Sequence, residues 1–145
     1  MTPRPCSIAS ALLVVGEKWS LLVVRGLALG VHRFDEIQAN TGAPRDILTT
    51  RLRRLEEAGV LERRRYQERP ARYGYHLTAA GKELRPILLS LTAWGEKWTP
   101  QVNAYDWVHE CGEVLELAHT CKSCGGEVTG GDLRSRLRDA ATTPA

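Results

Sequence analysis

The stretch from Arg33 to Gly59 constrains the fold more than any other part of the chain. It holds two short runs with apolar residues at helical spacing, Arg33 to Asn40 and Arg45 to Ala58, parted only by the tight break Thr41-Gly42-Ala43-Pro44. In the first run Phe34 and Ile37 face inward. In the second, Leu48, Leu52 and Leu55 stand at i, i+4 and i+7 and form an inward face, with Asp46, Thr50, Arg53 and Glu57 opposite. Arg45, Thr49 and Arg54 flank that outer side, and Gly59 is placed to cap the C-terminus. Two short helices joined by a Gly-containing turn are the sequence form of a helix-turn-helix.

The flanking segments complete a small domain around that pair. Ser7 to Val15 reads as a helix with Ser7 as N-cap and Ile8, Ala11, Leu12 and Val15 as its apolar stripe. Lys18 to Leu29 is apolar nearly all round, which describes a central buried helix, and Gly30 stops it. Val60 to Tyr66 and Arg72 to Leu77 read as two strands of a hairpin, the wing, with the polar and basic tip Gln67-Glu68-Arg69-Pro70-Ala71. Pro70 at a tip owes no ladder hydrogen bond. Thr78 caps a long helix running to about Trp98, with Leu84, Ile87, Leu88, Leu91 and Trp94 on one face and Pro86 as a kink or restart. So long a stripe near the end of a small domain has too little core to cover it, and a partner subunit is the economical answer. The expected fold is mainly α with a small β-hairpin wing: a winged helix-turn-helix with a long C-terminal dimerisation helix and a short Cys-containing tail. Residues 1–100 form the winged domain, 101–131 a Cys/His-containing tail, and 132–145 a short helix fading into disorder.

The net charge of the 145 residues is only +3, but it is unevenly spread. Residues 1–100 carry 16 Lys/Arg against 10 Asp/Glu, and residues 101–145 carry 4 against 7. Arg45 to Arg72 alone contains nine arginines, no lysine and five acids. Such local basicity is a footprint for polyanions, and arginine suits forked contacts to phosphate or guanine. The competing reading is a solvated face laced with ion pairs to Glu56, Glu57 and Glu62. In a helix-turn-helix the N-terminal half of the second helix enters the major groove, which points to Arg45, Thr49, Thr50 and Arg53 for base edges. Arg54, Arg69, Arg72, His32 and Arg33 are better placed for phosphates. No Gly-rich phosphate loop, paired carboxylates or nucleophile with an orienting base emerges, so no catalytic residue is assigned and an enzyme is not expected. The longest apolar stretch, Leu21 to Leu29, is broken by Arg25 and Gly26 and is too short for a bilayer. Met1 to Ser10 lacks a signal-peptide layout, so a cytoplasmic location without membrane contact is expected.

A family pattern now becomes visible. The run Cys6…Gly16-Glu17-Lys18-Trp19…Leu22…Leu27…Gly30…Arg33-Phe34-Asp35-Glu36-Ile37 resembles the HxlR-type branch of the MarR-like winged-helix regulators. So do Leu48-Thr49…Arg51-Leu52-Arg53-Arg54-Leu55-Glu56…Gly59-Val60-Leu61…Arg63 and Pro70…Tyr73…Tyr75…Leu77-Thr78…Gly81…Leu84…Pro86…Trp94. The resemblance spans about residues 6–98 in consistent order. It implies a homodimer joined through the first and last helices, with two recognition helices reading an inverted repeat in double-stranded DNA and wings against the flanks. Regulators of this type are commonly repressors and some are activators. A zinc-ribbon-bearing protein whose winged domain docks another protein instead of DNA is the alternative. No residue pattern names a small-molecule effector.

Four cysteines in such a chain are not a disulfide framework. Cys6 stands alone at the start of the first helix, where positive potential favours the thiolate. HxlR-type proteins with a cysteine there include thiol-based redox sensors, so Cys6 is a candidate switch, and a packing thiol is the other reading. No second cysteine in residues 1–100 is available to resolve an oxidised Cys6. In the tail, Cys121-Lys122-Ser123-Cys124-Gly125 is a knuckle of the kind that offers two thiolates to zinc, and Cys111-Gly112 repeats its second half. Val108 stands where the missing cysteine would be, with His109 one residue late and His119 a further nitrogen. A structural Cys3His zinc site from Cys111, Cys121, Cys124 and His109 and a metal-free hairpin both remain open.

Overall fold

A computed structural model describes residues 4–101 and 103–138. Its elements run α1 (Ser7–Val15), α2 (Lys18–Ala28), α3 (Phe34–Thr41), α4 (Arg45–Glu57), β1 (Leu61–Gln67), β2 (Arg72–Leu77), α5 (Ala79–Lys82) and α6 (Arg85–Trp98). The chain divides after residue 102 into two units.

In the first unit α2 is the axle. Val23 and Val24 are fully buried and Leu27 nearly so, as an all-round apolar helix requires. Ile37 from α3, Leu48, Leu52 and Leu55 from α4, and Leu61 and Leu77 from the hairpin close the core with them. The α3–α4 turn is fixed by its own side chain: Thr41 Oγ1 donates to Ile37 O (2.8 Å) and accepts from Ala43 N (3.2 Å). Gly42 turns the corner at φ 75°, a left-handed value that glycine adopts without penalty. A tie unforeseen from sequence joins α4 to the start of α2: Glu17 Oε2 accepts from Trp19 N at 3.1 Å and lies 3.1 Å from Arg51 Nε.

β1 and β2 pair antiparallel from Leu61↔Leu77 to Gln67↔Arg72, with a register break between Arg65 and Gln67. The open edge of β2 is covered from the α2–α3 connection, where Tyr75 N donates to His32 O at 2.9 Å and His32 Nδ1 donates to Tyr75 O at 2.8 Å. Beyond the hairpin the long helix is broken. Thr78 Oγ1 accepts from Gly81 N (3.2 Å) to start α5, and α6 restarts at Arg85 with Pro86 in its first turn, where a missing N–H costs nothing. Gly81 is buried so close to Val60 O that an added Cβ would collide with it. α6 carries no buried residue: Ile87, Leu91, Trp94 and Trp98 are all at least half exposed. On α1, Ile8, Leu12 and Leu13 are exposed as well.

The second unit is two short hairpins marked by the bridges Val108↔Val114 and Thr120↔Glu127. None of its described residues is buried. The short helix expected from Asp132 is absent over residues 132–138, and residues 139–145 lie outside the described ones. Asp132 Oδ1 accepts from the preceding amides of Thr129 (3.3 Å) and Gly130 (3.2 Å), closing a turn instead of capping a helix ahead of it. Arg134 and Arg138 would also repel at i,i+4 on a helix. No single helix among the described residues is long and apolar enough to cross a membrane.

Candidate nucleic-acid interface

The two sides of α4 are sharply different. Leu48, Leu52 and Leu55 are at most 2% exposed, so the helix cannot roll without opening the core. Arg45, Thr49, Arg53 and Arg54 are exposed and Thr50 is half-buried. Thr49 Oγ1 donates to Arg45 O (2.9 Å) and Thr50 Oγ1 to Asp46 O (3.1 Å). With both hydroxyl protons held by the helix, these threonines retain oxygen lone pairs and methyl groups for outside contacts. Arg45 lies over the Phe34 ring (4.8 Å) and 3.9 Å from Asp35, and Arg53 lies 4.0 Å from Glu57. Both pairs are long and solvent-exposed, the kind that contributes little and yields to a better anion.

The wing is more basic than its tip suggested. Arg63, Arg64 and Arg65 each reach a carboxylate, Glu56 (3.1 Å), Glu62 (2.6 Å) and Glu68 (3.1 Å) respectively. Arg65 also donates to Tyr73 Oη at 3.1 Å. Sequence reading left this triplet unassigned, although three consecutive arginines in a strand exposed on both faces were the signal. The ion-pair reading of the arginine cluster therefore holds for these three. Among the described residues no carboxylate lies within 4.0 Å of Arg33, Arg54, Arg69 or Arg72. Arg33 covers the Tyr66 ring at 4.9 Å, and with Arg72 it lines a cleft of about 490 Å³ between the start of α3 and the wing. Arg69 is exposed at the tip.

His32 is held at the base of the wing. Half-buried, it is committed to Tyr75 and stacks on His76 with ring centroids 4.1 Å apart, so its ring organises the wing base. Burial, then the neighbouring His32 and Arg64, hold His76 below the ordinary imidazole value, while Glu62 opposes them.

Cys6 is exposed at the N-cap of α1, and its side chain makes no capping bond. In the tail, His109 and Cys111 sit on the first hairpin turn, where His109 Nδ1 accepts from Cys111 N at 3.4 Å. Cys121 and Cys124 sit on the second, closed by Gly125 N→Cys121 O (2.7 Å) and Cys121 N→Gly126 O (2.8 Å). The amides of Cys124 and Ser123, followed by the Cys124 thiol, donate to the Cys121 sulfur and lower its pKa. Among the described residues no three His, Cys, Asp or Glu side chains gather to hold a metal ion. The structure thus unites Cys121 with Cys124 and does not bring Cys111 and His109 to them as a ligand set.

A helix pair locked by a tight turn, with a basic hairpin wing beside an arginine-faced second helix, defines the winged helix-turn-helix class of transcription regulators. Residues 14–103 match the HxlR-like helix-turn-helix family, and the chain belongs to it. Among its relatives is an uncharacterised HTH-type transcriptional regulator of Mycobacterium tuberculosis, Rv3095, 38% identical over 126 residues that cover 85% of this chain and 80% of the relative. Among solved structures, PA1607, provisionally assigned as a transcription factor, is 31% identical with a TM-score of 0.81 over 93% of this chain and 96% of its own. The redox regulator HypR in its reduced form is also 31% identical, with a TM-score of 0.58 over 63% of this chain and 92% of its own.

Proposed function

We propose that the protein is a cytoplasmic homodimeric repressor that reads an inverted repeat through α4, with the wings on the flanking phosphates. One observation carries the reading: three wholly buried leucines fix α4 so that Arg45, Thr49 and Arg53 face outward together. Arg33, Arg54, Arg69 and Arg72, with no carboxylate within 4.0 Å among the described residues, serve phosphate. The dimer forms through the apolar faces of α1 and α6, whose leucines and tryptophans are left exposed by the described residues. Catalysis has no part in this reading. Cys6, exposed at the start of α1, is the candidate point of redox control, and a redox regulator, HypR, stands among the structural neighbours.

Binding to the DNA flanking its own gene, followed by fluorescence anisotropy against random duplex, tests the proposal. Neutralising about six phosphates predicts a loss of ~10³-fold or more in affinity between ~50 and ~200 mM salt. Equal affinity for both duplexes at moderate salt defeats it. Reversing charge at Arg53 and Arg69 separates this reading from protein docking: DNA binding should collapse, whereas a protein-docking module would keep its partner.

A further inference from the structure

We infer that Cys121 and Cys124 form a dithiol site that closes reversibly to a disulfide, rather than one corner of a four-ligand zinc centre. Both thiols are exposed. They sit on one turn held at its base by Gly125 N→Cys121 O and Cys121 N→Gly126 O and by the Thr120↔Glu127 bridge. The two cysteines stand three positions apart on that one turn, which Gly125 N→Cys121 O closes at 2.7 Å. Cys111 and His109, the other donors a zinc centre would need, are not gathered to them. None of the described residues in the unit around them is buried, so a covalent closure constrains a segment with little core to hold it.

The chemistry needs a two-electron oxidant, a peroxide. The Cys121 thiolate attacks one peroxide oxygen, the O–O bond breaks, and a sulfenic acid and water result once a proton is taken up. The Cys124 sulfur then attacks Cys121, the S–S bond forms, and hydroxide departs with the Cys124 proton as water. Sulfur has lost two electrons and peroxide has gained them. Cys6 has no such partner within residues 1–100.

The test uses the full chain, reduced, desalted and treated with hydrogen peroxide, then alkylated under denaturing conditions and cut with trypsin. Lys122 lies between the two cysteines, so cleavage there puts Cys121 and Cys124 on separate peptides. A disulfide would keep 98–122 and 123–134 joined until reductant is added. That linkage should survive Cys111→Ser, which removes the only other cysteine on the first peptide, and vanish in Cys121→Ser. Metal analysis of the untreated protein should find less than stoichiometric zinc. One tightly held zinc per chain, a linkage lost in Cys111→Ser, or oxidation that stops at sulfinic acid without joining the peptides would each overturn the assignment.

Discussion

Leu52 and Arg53 are adjacent, yet one is 2% exposed and the other carries an exposed guanidinium. That contrast makes their substitutions separable. Leu52→Ala should cost ~2–5 kcal/mol of stability, read as a lower denaturation midpoint, because it opens a cavity that the surrounding helices cannot fill. Arg53→Ala should leave the midpoint within ~0.5 kcal/mol of the parent. At His76 the folded pKa lies below the ordinary 6.5, so the unfolded chain takes up the proton first. The stability this adds is present above pH 6.5 and is lost as pH falls from there through the folded value. Denaturation midpoints at about pH 7.5 and about pH 5.5 should therefore differ less in His76→Asn than in the parent. An unchanged difference would show that the stacked pair does not contribute.

At the scale of elements, periodicity made most of the fold legible. The ends of α1 and β2 are where spacing puts them, although the N-cap of α1 is Cys6 and not Ser7; α2 and α4 each end one residue early, and α3 and β1 are each shifted by one residue. What could not be read were long-range pairings. His32 looks like a basic loop residue until β2 is folded against it, and Arg51 looks like one more surface arginine until Glu17 lies beside it. After Asp132, where either a short helix or an irregular end was expected, residues 132–138 form no helix, and the Asp132 carboxylate serves the turn behind it. Gly81 shows the same limit: its need for no side chain comes from Val60 O, distant in sequence. Gly81→Ala should destabilise the fold by ~1–3 kcal/mol, measurable by chemical denaturation, since backbone must move to admit a methyl group. The candidate base-reading residues came through spacing alone, because the leucine stripe of α4 fixes what stands opposite.

For the whole molecule, the unburied α6 is the main unsatisfied surface of the first unit. Ile87 and Leu91 are about half exposed and Trp94 and Trp98 about two-thirds exposed, an area that a stable monomer rarely leaves wet. Leu91→Glu should shift the protein toward a monomer in light scattering while leaving helicity near that of the parent. It should also weaken operator binding far more than binding to random duplex, since only a dimer spans two half-sites. A dimer unchanged by Leu91→Glu would place the interface elsewhere.

The central claim is that the arginine side of α4 reads bases, and selection from a random duplex library tests it most directly. The parent should enrich an inverted repeat, and Arg53→Ala should lose preference at one position in each half-site, by ~1–3 kcal/mol of discrimination, while keeping its affinity for random DNA. Enrichment of the same sequence by both proteins, with the same base preference at every position, would contradict it.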